Sequence, residues 1–210
     1  MRKSLLFLCS FILFACAPAT QTTAQQQVVT VYASSAAEPW MSDLLACADQ
    51  QSIILNVTAN SPQIYLQVGE PENLVFPAYQ IDEERIFIVA HRESPVQNLS
   101  LAEAQALFAG GGDASVQVWV YAKDVDLQIL FDQFVMKERS VTSSARLASS
   151  AQEMSDVLNA ESNAVGILPE HWKTGNVREV YLAGTAPVLA ITQMEPQNGV
   201  AALIGCLQRY

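Results

Sequence analysis

Two adjacent serines, Ser34 and Ser35, stand in the small polar run Ala33-Ser34-Ser35-Ala36-Ala37, between a β-branched stretch and an apolar helical pattern. A helix that starts directly after a strand leaves its first amide N–H groups unpaired, so hydroxyls and amides there can converge on an acidic or polar group. Plain capping of the helix is the other use of the same serines. Lys123 and Asp124 take an equivalent place ahead of a later amphipathic helix, where the lysine can give a ligand one positive charge. A solvated lysine beside a capping aspartate is the alternative there. Catalysis has less to work with. His91 lies in His91-Arg92-Glu93 and His171 in Pro169-Glu170-His171-Trp172, and neither has a nucleophile elbow, zinc-type spacing or phosphate loop beside it in sequence. Gly110-Gly111-Gly112 lacks a following Gly-Lys-Ser/Thr and reads as a helix stop, and Glu70 and Glu72 read as solvated loop charges. The expectation is a chain that is not an enzyme and needs no cofactor or metal.

The remaining chemistry is that of cysteine. Arg2 and Lys3 precede an apolar run over residues 5–14 that is too short for a stable membrane span, the pattern of a secretory leader. Its end, Leu13-Phe14-Ala15-Cys16, resembles the bacterial lipobox, in which a small residue precedes a thiol that becomes thioether-linked to diacylglycerol. Residues 1–15 are thus expected to be a signal peptide. Cys16 becomes the lipidated first residue, a palmitate-type membrane anchor, and residues 16–27, without charge or apolar period, a flexible tether. The localisation this implies is the extracytoplasmic face of a bacterial membrane. Cys47 and Cys206 are the only later thiols, and an oxidising compartment favours pairing them over two buried free thiols.

Half of the residues are apolar and 15% are charged, which suits a folded core and argues against disorder. The formal net charge of −10 includes Arg2 and Lys3, so the chain beyond them stands at −12. Nucleic acid is therefore not an expected partner, since a polyanion would have to meet clustered Lys and Arg, and no basic run is present.

These side chains must be positioned by alternating strands and helices. Residues 28–32 form a β-branched and aromatic run, a helical pattern follows through Trp40, Met41, Leu44, Leu45 and Ala48, and residues 53–57 and 64–68 read as further strands. Strand, helix and strand in that order predict a parallel βαβ seed. After an irregular stretch, residues 85–90 form an apolar strand, and Ser100 with Glu103 makes a capping box for a helix ending at Gly110. A strand over 116–121 precedes a helix with Leu127, Leu130, Phe131, Phe134 and Val135 on one face; a helix over 152–158 and a strand over 164–168 come next. Two separate strand-like runs, 177–182 and 188–192, lead to a C-terminal helix carrying Val200, Leu203, Ile204 and Leu207.

The passage over residues 86–110, with Ser94-Pro95-Val96-Gln97-Asn98-Leu99-Ser100 after a strand and Leu107-Phe108-Ala109-Gly110 closing the helix, resembles the phosphate-type substrate-binding proteins of ABC transporters, of the type II periplasmic binding-protein fold. Ser162-Asn163-Ala164-Val165-Gly166-Ile167-Leu168 and the Ser34-Ser35 loop are similar to two further passages of that family. The resemblance implies a two-lobed α/β fold with sheets flanked by helices: residues 28–84 in lobe 1, 85–168 in lobe 2 with the crossovers, and 169–210 returning to lobe 1. It implies that Ser34, Ser35, Lys123 and Asp124 face one inter-lobe cleft holding a small polar or anionic solute for a permease. It also implies a Cys47–Cys206 disulfide between the first and last helices. The family's Arg and Ser-Gly-Thr helix start is replaced by Tyr121-Ala122-Lys123-Asp124-Val125-Asp126, where Asp124 and Asp126 would repel phosphate. The rival expectation is an interaction module that keeps the fold without a solute.

Overall fold

The computed structural model describes residues 26–209; the expected leader and the lipidated Cys16 lie outside the described residues. The first strand, β1 (Val28–Ala33), alternates buried Val29 and Val31 with Thr30 and Tyr32 on the opposite face. A short 3-10 turn with Pro39 leads into α1 (Met41–Gln50), whose Leu44, Cys47 and Ala48 are buried. The chain returns through β2 (Ile54–Val57), parallel to β1, and then β3 (Ile64–Val68), parallel to β1 on its other side. The expected βαβ seed is present.

Two long antiparallel strands join this half of the molecule to the rest. β4 (Ala78–His91) pairs with β8 (Val177–Ile191) along its whole length, and β8 also pairs with β3. Both are longer than their apolar runs suggest. The irregular stretch expected before residue 85 already belongs to β4 from Ala78, and the two runs expected at 177–182 and 188–192 form one strand. The reason is exposure: Gln80, Asp82, Glu83 and Thr185 sit mid-strand with their side chains toward solvent, so the polar middles break the apolar pattern without breaking the ladder. Register shifts between Gln80 and Asp82, Ile86 and Phe87, and Ile88 and Val89 bend the pair.

The second half holds α2 (Leu101–Ala106), β5 (Gln117–Val120), α3 (Asp126–Phe131), β6 (Arg146–Leu147), α4 (Ala151–Ala160) and β7 (Ala164–Pro169). The capping box of α2 forms as expected: the Ser100 hydroxyl accepts from Glu103 N–H, and the Glu103 carboxylate accepts from Ser100 N–H at 2.7 Å. α2 and α3 each continue into a wider π turn, the first, Leu107–Gly111, containing Gly110, whose φ of 87° needs glycine. Strands β1 to β8 make one eight-stranded sheet in the order β2-β1-β3-β8-β4-β7-β5-β6. The last helix, α5 (Asn198–Leu207), packs against α1, and Cys47 and Cys206 are bonded with their Cα atoms 5.9 Å apart, as expected.

Candidate functional site at the seam between the lobes

Ser34 leaves the C-terminal end of β1, held to β3 by its N–H donating to Leu66 C=O at 2.9 Å. Its carbonyl accepts from Ala37 N–H at 3.0 Å, which closes the small-residue turn; Ala36 and Ala37 are fully buried there, so bulkier side chains would not fit. Opposite it, the segment after β5 turns through Ala122–Val125, with Val125 N–H donating to Ala122 C=O at 3.0 Å, and opens α3 at Asp126. The two segments meet. The Ser34 hydroxyl donates to Asp126 Oδ2 at 2.5 Å, and Leu127 N–H donates to Asp126 Oδ1 at 2.9 Å.

Asp126 is 7% exposed, and burial pushes its carboxyl above the ordinary range. Hydrogen bonds from the Ser34 hydroxyl and from the backbone N–H groups of Leu127, Val68 and Asp126 itself pull the other way and hold the charged form. These are the donors an anionic ligand would use at a helix start facing a strand end. Here they close on a carboxylate of the chain itself. Close packing supports the same seam: Gly69, at the end of β3 with φ +84°, has no room for a Cβ, which would stand 2.8 Å from a methyl carbon of Leu130 in α3.

The other expected site residues are placed differently. Ser35 is half-buried beside Ser34. Lys123 and Asp124 are exposed. Lys123 borders a cavity of about 450 Å³ lined by second-lobe residues including Tyr121, Gln128, Asp132, Arg139 and Thr142, and by neither serine. The structure thus brings Ser34 to the start of α3 through Asp126, with Lys123 turned to a separate hollow.

A second contact crosses between the halves. The imidazole of His171, in the single turn after β7, lies 4.5 Å from the Trp40 ring, tilted by 55°, and Trp172 Nε1 donates to Ala36 C=O at 3.4 Å. His171 is also bound to β4: its backbone N–H donates to Glu84 Oε1 at 3.0 Å. His171, which has no catalytic motif beside it in sequence, is a half-exposed partner of a buried acid. His91 is mostly buried, and its Nδ1 accepts from Glu93 N–H at 3.1 Å. Sequence reasoning took Asp126 only as a source of repulsion and passed over Glu84. The one local signal for Asp126 was its place at the first residue of a helix.

No family model matches the chain, and no curated protein matches it in sequence. Its fold is similar to that of solved structures. A putative phosphate ABC transporter substrate-binding protein with bound phosphate from Clostridium perfringens superposes with a TM-score of 0.76 at 15% identity, over 86% of this chain and 93% of that one. An ABC-type phosphate transport receptor from Vibrio cholerae gives 0.64 at 14% identity, over 87% and 93%. The fold is that of the type II periplasmic binding proteins. The regulatory domain of CcmR from Synechocystis, solved in complex with 2-PG, is also similar, with a TM-score of 0.69 at 11% identity over 88% and 97%. The type II periplasmic binding-protein fold thus serves transport receptors and regulatory domains alike, and in this chain the seam of that fold is bridged by Ser34 and Asp126.

Proposed function

We propose that this chain is a lipid-anchored module on the extracytoplasmic face of a bacterial membrane. It keeps the binding-protein fold, fills the anion place with its own Asp126, and acts through its surface rather than by delivering phosphate to a permease. The observation that carries this reading is the 2.5 Å hydrogen bond from Ser34 to the buried Asp126 carboxylate. A second anion brought within ~4 Å of that carboxylate would meet a repulsion of about 4 kcal/mol at an effective dielectric near 20, roughly a thousandfold in affinity. The acidic field of the whole chain, −10 in formal charge, opposes anion approach as well.

Isothermal titration with phosphate and sulfate at neutral pH tests it. No saturable heat is expected; micromolar phosphate binding lost in Ser34→Ala overturns the reading. The anchor has its own test: Cys16→Ser should move the protein from the detergent phase to the aqueous phase, and a variant that stays in detergent refutes lipidation at Cys16.

A second reading, capture of a small polar solute for an ABC-type permease, is favoured by the way β4 and β8 cross between the two halves, an arrangement that permits hinge opening. Native mass spectrometry of freshly purified protein separates the two: a stoichiometric small molecule favours capture, and its absence favours the self-filled seam.

A further inference from the structure

The face of the sheet opposite buried Val29 and Val31 carries a hollow of about 300 Å³, at the lower end of the range for small-molecule sites. First-lobe and returning-strand residues alone line it, chiefly Tyr32, Tyr65, Phe76, Pro62, Ile191 and Gln193. Tyr32 and Tyr65 are register partners in β1 and β3, and their rings stack with centroids 5.8 Å apart at 20°. Phe76, just before β4, is about half exposed. The wall is braced from behind: Thr192 N–H donates to Pro77 C=O at 2.9 Å, and Gln193 Nε2 donates to Pro62 C=O at 3.2 Å. What faces the hollow is three aromatic rings in a mostly apolar wall.

Charge narrows the occupant. No Lys or Arg occurs from residue 26 to residue 84, and none lines the hollow. The Tyr65 phenol is pushed up to about 12, first by burial and then by the negative charge of Asp126. The fixed charge felt at this wall is thus that of a carboxylate, with no cation to offset it. Aromatic faces are negative by their quadrupole and attract cations. An ordinary ammonium would need acceptors for its N–H groups, and this mostly apolar wall offers few beyond the phenol oxygens and the Gln193 amide. A quaternary ammonium presents only methyl groups and a diffuse charge. We propose that this aromatic hollow binds a small soluble quaternary ammonium cation. The proposal goes beyond the reading of the seam and does not depend on it.

The test titrates the purified full chain with choline and with 3,3-dimethylbutan-1-ol, which has the same shape without the charge, and with phosphatidylcholine vesicles. Choline should bind about tenfold or more tightly than the uncharged alcohol, because the cation–π attraction is the difference between them. Phe76→Leu and Tyr65→Leu keep apolar bulk and remove a ring face, and each should weaken choline binding by roughly threefold to thirtyfold. Phe76 is exposed, so its variant separates loss of the site from loss of the fold. Equal or tighter binding of the alcohol overturns the proposal, as does choline affinity unchanged in Phe76→Leu. So does binding to vesicles without binding of free choline, or no choline binding up to roughly 10 mM.

Discussion

Glu84 Oε2 lies 2.5 Å from Nδ1 of His171, and Glu84 is 1% exposed while the histidine side chain keeps 46% of its surface in solvent. The acid sits in the crossover strand β4 and its partner in the turn after β7, so the pair fixes that turn against the strand linking the two halves. Trp40, against the imidazole, extends the contact to the start of α1. Burial pushes the Glu84 carboxyl up, and its hydrogen bonds with His171 offset part of that.

Glu84 is buried but His171 is half exposed, and in His171→Ala the carboxylate keeps the backbone N–H of residue 171, so the loss is that of one screened hydrogen bond to a buried acid. His171→Ala should therefore lower unfolding stability by about 1–2 kcal/mol, and Glu84→Gln, which keeps shape and removes the charge, should cost less. Urea unfolding of both variants and of the double variant checks this; additive losses would mean that the two side chains are not coupled.

Asp126 gives a prediction with a sign. Its folded pKa lies above its unfolded value, because burial outweighs its donors. Its contribution to stability is fully present below the unfolded value near ~4 and is lost as pH rises through the folded value. Asp126→Asn removes that dependence. The stability of Asp126→Asn relative to the parent should rise as pH goes from roughly 4 toward neutrality. Thermal unfolding across that window measures it, and a flat or falling difference would contradict the direction.

Replacing the same residue by serine should expose the cradle. In Asp126→Ser the Ser34 hydroxyl and the N–H groups of Val68 and Leu127 lose their carboxylate, and the helix start regains its affinity for anions. Weak phosphate or sulfate binding, of millimolar order (about 4 kcal/mol), is expected where the parent shows none. Titration of both proteins under identical salt decides it, and a variant as inert as the parent would mean that the donors do not reach a common point.

The disulfide closes a loop with a sequence separation of 159, for which the chain-entropy relation gives about 5 kcal/mol. Cys47→Ala with Cys206→Ala should lower the melting temperature by on the order of 10 °C or more. Calorimetry of the double variant checks the size, and a shift within about 2 °C would show that the helices hold each other without the bond.

What could be seen in the sequence were features whose partners lie close along the chain. Ser100 and Glu103 are one helical turn apart, and their capping box appears as expected. The strand, helix and strand over residues 28–57 follow from local period alone. Cys47 and Cys206 could be paired because no other thiols compete beyond Cys16. The polar middles of β4 and β8 hid two long strands, since Asp82 and Glu83 look like loop residues until β8 lies alongside them. For Asp126 only the repulsion of an anion could be read locally: its bond to Ser34, 92 positions away, could not, because a carboxylate at a helix start looks the same whether it faces water or a hydroxyl. Glu84 and His171 stand 87 positions apart and share no local pattern.

The Cys47–Cys206 bridge also makes a covalent ring of the chain between α1 and α5, and that ring contains both crossover strands and every element of the second lobe. A protease that severs one peptide bond anywhere within the ring produces two pieces that remain a single molecule until a reductant reaches the bridge. As long as the bridge stays oxidised, a nick in the second lobe therefore leaves no fragment free to diffuse away, and β4 and β8 stay tethered to the same molecule.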